Sequence, residues 1–77
     1  MKLHEYAAKH AAHLSRVVDS LMEFERANPD IPHTYRAQAA WLNGELPGSA
    51  DWVVPTPTGL AWSETNLRLY KSGNKVA

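Results

Sequence analysis

Seventy-seven residues hold one small domain, and a single core of that size is marginal enough that oligomerisation or a bound group often supports it. The chain has no cysteine, which excludes disulfides, thiolate zinc sites and cysteine nucleophiles. Eight Lys and Arg balance eight Asp and Glu, so there is no overall basic surplus of the kind that phosphate contacts demand.

No run of about 7–15 apolar residues opens the chain, as a secretory signal would require, and no stretch approaches membrane-spanning length. A cytoplasmic protein without membrane contact is expected.

Residues 2–28 read as one long amphipathic helix. Leu3, Ala7, His10, Leu14, Val17, Leu21 and Phe24 follow one another in alternating steps of four and three, with His10 the one polar member. Tyr6, Ala11, Val18 and Met22 widen that seam into a stripe. No Gly or Pro interrupts it, and the content of Ala, Leu, Glu, Lys and Arg favours helix. Asn28 before Pro29 ends it, because the residue before proline is pushed out of the α region and Asn tolerates the left-handed cap.

About 26 residues at 1.5 Å each span roughly 39 Å, against a diameter of roughly 30 Å for a compact globule of this length. The helix is therefore expected to overhang its own domain, and the apolar positions continue to both ends. Its charges run against the helix dipole. Lys2, Lys9 and Arg16 face only Glu5 in the first half, while Asp19, Glu23 and Glu25 face only Arg26 in the second. An antiparallel copy sets each basic half beside an acidic one, although a crossing centred at Leu14 brings Glu5 to Glu23. The expectation is a homodimer, antiparallel through this helix, with Leu3, Ala7, His10, Leu14, Val17 and Leu21 in the interface. The alternative is that the chain's own C-terminal half fills the stripe.

Asn28 to Pro32 is a turn, dense in proline and Asx residues. A second helix is predicted over 33–43, with Thr34 a candidate N-cap, Tyr35, Ala39 and Leu42 on one face, and Asn43-Gly44 as the C-cap. The two helices make an αα-hairpin. Beyond the loop around Pro47-Gly48-Ser49, the pattern turns β-branched and aromatic. Trp52-Val53-Val54, Leu60-Ala61-Trp62 and Leu67 to Lys71 are read as short strands, the last with Leu67 and Leu69 on one side and Arg68 and Tyr70 on the other. Residues 72–77 form a frayed tail. The predicted fold is α+β: a long N-terminal helix, a short second helix, then a small antiparallel β-hairpin or three-stranded meander over 52–71 that packs on the helices.

The histidines invite a metal hypothesis. His10 and His13 are three residues apart on one helix, but no third ligand and no HExxH spacing accompany them, so no metal site is expected. His10 is read as a seam residue that can sense pH, since an unperturbed imidazole titrates at about 6.5. Asp19, Glu23 and Glu25 read as solvated charges. Ser15 and Ser20 lack a base at a recognisable spacing, and no Gly-rich phosphate loop is present. No catalytic residue, cofactor or enzymatic activity is expected.

Three Trp in so short a chain serve either as core or as binding hot spots. Trp62, Arg68, Tyr70 and Lys71 are the candidate partner-binding set, and Trp52 and Trp62 are placed to pair across the expected hairpin. The leading expectation is a small non-enzymatic protein-binding module. It would be an inhibitor or adaptor of the kind phages and mobile elements encode, acting by steric occlusion of a host protein; this origin rests on how such proteins commonly occur, and not on a residue. Two alternatives stand beside it. A winged-helix-like transcriptional regulator would use Pro55 to Tyr70 as its wing and set Arg68, Lys71 and Lys75 on phosphates, although the second helix carries only Arg36 as a cation. A structural or assembly subunit would oligomerise further through the long helix.

Overall fold

The computed structural model describes residues 3–73, with side chains from residue 11 onward. Three helices follow one another: α1 (Leu3–Ala27), α2 (Tyr35–Leu42) and α3 (Glu64–Gly73), with one turn of 3-10 helix at Ala50–Trp52 between the last two. Among the described residues there is no strand, so the fold is all-helical and the expected β-hairpin or meander is absent.

The first two helices end as their sequences dictate. The Asn28 N–H closes α1 on the Phe24 carbonyl at 2.9 Å. Thr34 caps α2, its Oγ1 accepting from the Ala37 N–H at 3.1 Å. Gly44 follows the C-cap Asn43 with φ +79°, the left-handed conformation that glycine adopts without strain. It is also closely approached, because a Cβ there would lie 2.8 Å from Val53 Cγ2.

Val17, Leu21 and Phe24 of α1 meet Ala39, Trp41 and Leu42 of α2, Leu67 of α3, and Val54 and Trp62 from the connection between α2 and α3. Burial of large aromatics needs partners for their N–H groups. Trp41 Nε1–H donates to the Ser20 carbonyl at 2.9 Å, and the Ser20 hydroxyl donates to the Trp52 carbonyl at 2.6 Å. Trp62 Nε1–H donates to the Val54 carbonyl at 2.6 Å.

Each expected strand fails for its own reason. Trp52 closes the 3-10 turn on Ser49, and the Val54 N–H donates to the Leu42 carbonyl at the end of α2. Thr56 and Leu60 do face each other across a tight turn, with the Thr56 N–H to the Leu60 carbonyl at 3.0 Å. Pro55 and Pro57 have no N–H to extend that single bridge into a ladder. The backbone of Trp62 is paired, but with a side chain: its N–H donates to Asn43 Oδ1 at 2.7 Å and its carbonyl accepts from Asn43 Nδ2 at 2.9 Å. The third segment is α3. Ser63 and Asn66 cap it reciprocally, the Asn66 N–H on Ser63 Oγ at 3.1 Å and the Ser63 N–H on Asn66 Oδ1 at 2.7 Å. Leu67 is then buried while Leu69 is 64% exposed, which separates two residues that a strand would have kept on one side.

The molecule measures 42 × 22 × 20 Å. The 25 residues of α1 extend about 37 Å, so the helix can lie only along the long axis. The core takes up its C-terminal half, and the first buried side chain described on it is Val17.

Candidate functional site

Three surfaces meet on α1. The first is a half-buried polar and aromatic cluster that joins His13 of α1 to Tyr70 of α3. His13 Nε2 lies 2.7 Å from the Pro55 carbonyl, which can only accept, so this nitrogen carries the proton. On the neutral ring Nδ1 then accepts from the Tyr70 hydroxyl at 2.8 Å. The Tyr70 ring packs edge-on against both neighbours, its centroid 5.4 Å from His13 and 5.1 Å from Trp62. Burial pushes the Tyr70 phenol above its ordinary range. Both ring nitrogens of His13 are engaged here, so His13 does not offer a free donor to a metal. No group of three potential ligand side chains occurs among the described residues. The side chains of His4 and His10 lie outside them.

The second surface is a cleft of about 120 Å³ bounded by Val18, Leu21, Met22 and Phe24 of α1, by Gln38 of α2 and by Lys71 of α3, with Glu25 and His33 at its edge. Lys71 is only 8% exposed. Its ammonium donates to Gln38 Oε1 and lies 5.4 Å from the centre of the Tyr35 ring. Burial pulls the Lys71 amine below the ordinary lysine range, and the nearby Glu25 carboxylate partly offsets this.

The third surface is the outer side of α1. Val17, Leu21 and Phe24 face inward, which leaves a second line of apolar residues uncovered. Ala11 is exposed, Leu14 and Val18 are half-buried, and Met22 is 62% exposed. Beside it Arg26 binds the Glu23 carboxylate with its Nε at 2.6 and 2.8 Å.

The residues singled out from sequence distribute unevenly over these surfaces. Among the expected dimer positions, the side chains of Leu3, Ala7 and His10 lie outside the described residues. Leu14 is half-buried, and Val17 and Leu21 belong to the chain's own core. The apolar side chains that the core leaves over on this part of α1 are Ala11, Ala12 and Met22, exposed, and Leu14 and Val18, half-buried. Of the expected partner-binding set, Trp62 and Lys71 are buried, Tyr70 is half-buried and Arg68 is exposed, so the four do not form one surface. The exposed Tyr and Trp side chains among the described residues are instead Tyr35 and Trp52. The wing of the DNA-binding alternative is absent, Lys71 is turned inward, and Lys75 lies outside the described residues. No described helix is long and apolar enough to cross a membrane. The buried lysine was not legible as such, because an i, i+4 relation between Leu67 and Lys71 has meaning only once α3 is known to be a helix.

No protein family, curated protein or solved structure matches this chain.

Proposed function

We propose that the chain is a non-enzymatic protein-binding module that pairs with a second copy of itself, α1 against α1 in antiparallel orientation. The observation that carries this reading is the uncovered strip of Ala11, Leu14, Val18 and Met22 on a helix whose other apolar face is already spent on its own core. A two-fold axis between Leu14 and Ser15 sets Val18 opposite Ala11. By register it sets Met22 opposite Ala7, so that each large residue meets a small one, as interlocking helix surfaces require. The same register brings Asp19 to His10 and Glu25 to His4. It also meets the objection of two like charges, since Glu23 is neutralised within its own chain by Arg26.

Sedimentation equilibrium tests the proposal. The wild-type chain is expected to have dimer mass at micromolar concentration. Ala11→Glu is expected to sediment as a monomer with unchanged helix content, because Ala and Glu both favour helix while the carboxylate lands on Val18 of the other copy. A wild-type monomer with α1 intact overturns the reading, and masses above the dimer favour an assembly subunit.

A further inference from the structure

Lysine is almost never fully buried without an ionic partner, because the desolvated charge is then compensated only by neutral dipoles. Lys71 is such a residue. Among the described residues no carboxylate lies within 4.0 Å of its ammonium, and the acceptor it has is the neutral amide oxygen of Gln38. Lys71 borders the cleft together with the apolar side chains of Val18, Met22 and Phe24 and the polar ones of Glu25, His33 and Gln38. An apolar wall with a small number of placed polar groups is the usual form of a ligand site. A second, wider groove of about 310 Å³ opens over Thr34 and Tyr35 and shares Lys71 and Gln38 with the cleft, which gives a ligand its way in.

We propose that this cleft binds a small hydrophobic carboxylate, with its carboxyl group on the Lys71 ammonium and its apolar body against Val18, Met22 and Phe24. The ligand adds a carboxylate in direct contact with an ammonium whose own counter-charge, Glu25, stands farther than 4.0 Å away. The volume limits its size: the cleft of about 120 Å³ is somewhat smaller than the apolar cavity of about 150 Å³ that accepts benzene. A single ring therefore enters only in part, and its remainder lies in the wider groove that shares Gln38 and Lys71. His33 stands at the mouth, and Glu25 beside it disfavours anions that carry more than one charge.

Titration of the isotope-labelled chain with sodium benzoate, followed by amide NMR shifts, tests the proposal, with sodium chloride at equal ionic strength and benzamide as controls. Saturable shifts are expected around Val18, Phe24, Gln38 and Lys71, with benzamide at least about tenfold weaker, since it offers the ammonium a neutral acceptor in place of a charged one. Lys71→Met is expected to lose the same factor. Gln38→Glu gives Lys71 a resident carboxylate and is expected to abolish binding without removing the lysine, which keeps the test open should Lys71→Met fold poorly. Absence of saturable shifts, benzamide equal to benzoate, or undiminished binding by either folded variant overturns the proposal. It does not rest on the pairing of α1, but Val18 and Met22 border both surfaces, so the titration is made on monomeric Ala11→Glu, where saturable shifts are expected whether or not the wild-type chain pairs.

Discussion

At Lys71 the fold holds a cation where an apolar side chain would be expected, and its energetics follow from that position. The folded state lowers the affinity of this amine for a proton, whereas the unfolded chain binds it with the ordinary lysine value of 10.5. Between the lowered value and 10.5 the unfolded state therefore binds more protons, and this group's contribution to stability rises with pH across that window. Below the window the full cost of the buried charge is present. Tyr70 acts in the opposite sense: its raised phenol resists ionisation, and the stability it contributes below the ordinary value of 10.0 is lost as pH climbs through the folded value. Lys71→Met is expected to unfold within about 1 kcal/mol of wild type at neutral pH, because the removed desolvation offsets the lost bond to Gln38. Urea titrations of both proteins should show the wild type gaining on Lys71→Met as pH rises toward 10.5, once Tyr70 is Phe in both. A difference that stays constant with pH would mean that Lys71 is solvated.

At the scale of elements, legibility depended on whether local pattern and tertiary partner agreed. α1 and α2 were legible, since their periodicity, the Thr34 cap and the Asn43-Gly44 stop all signal the same thing. The segment from Trp52 to Trp62 was not, because its β-branched and aromatic residues suit an extended backbone and it is largely extended. What sequence could not supply was the partner: Leu42 and Asn43 satisfy this backbone where a neighbouring strand was expected. For α3 the alternation of Leu67, Arg68, Leu69 and Tyr70 fits period two over four residues, too short a run to exclude period 3.6. The overlooked signal was Ser63-Glu64-Thr65-Asn66, between the two expected strands, which caps a helix. The candidate sites fared likewise. Trp62 and Tyr70 were singled out by residue type, which does not separate a core aromatic from a binding one, and Trp62 is buried and Tyr70 half-buried, while Val18 and Met22 were visible only as the margin of the α1 seam. The helix and strand registers differ measurably. Leu67→Ala is expected to cost about 2–5 kcal/mol, whereas Leu69→Glu should stay within about 0.5 kcal/mol of wild type. Equal losses at both positions in thermal or urea unfolding would contradict the helical register of α3.

Taken whole, the molecule is a helical body gathered around one end of a long rod. Buried apolar contacts set local stability, and α1 has them from Val17 onward. Where pairing of α1 adds contacts to its N-terminal half, hydrogen exchange reads it directly. In wild type at concentrations that favour the pair, amides before residue 13 should be protected along with those of residues 17–24. In Ala11→Glu the first group should exchange much faster and the second should not change. Protection of both groups in the variant would show that the rod holds itself without a second copy.

Asn43 also sets how the protein ages. An Asn-Gly peptide is the sequence most prone to deamidation, because the glycine nitrogen meets little steric hindrance as it attacks the side-chain amide. Here the side-chain amide is held at both ends by the Trp62 backbone, and the Gly44 N–H is held by the Trp41 carbonyl at 3.0 Å, so the native state restrains both reactants. Any excursion that releases Trp62 frees the amide to react. The product, Asp or its β-linked isomer, has lost the donor that the Trp62 carbonyl needs. Damage at this one position is thus coupled to unfolding in both directions: opening permits the chemistry, and the chemistry keeps the fold from closing as it was.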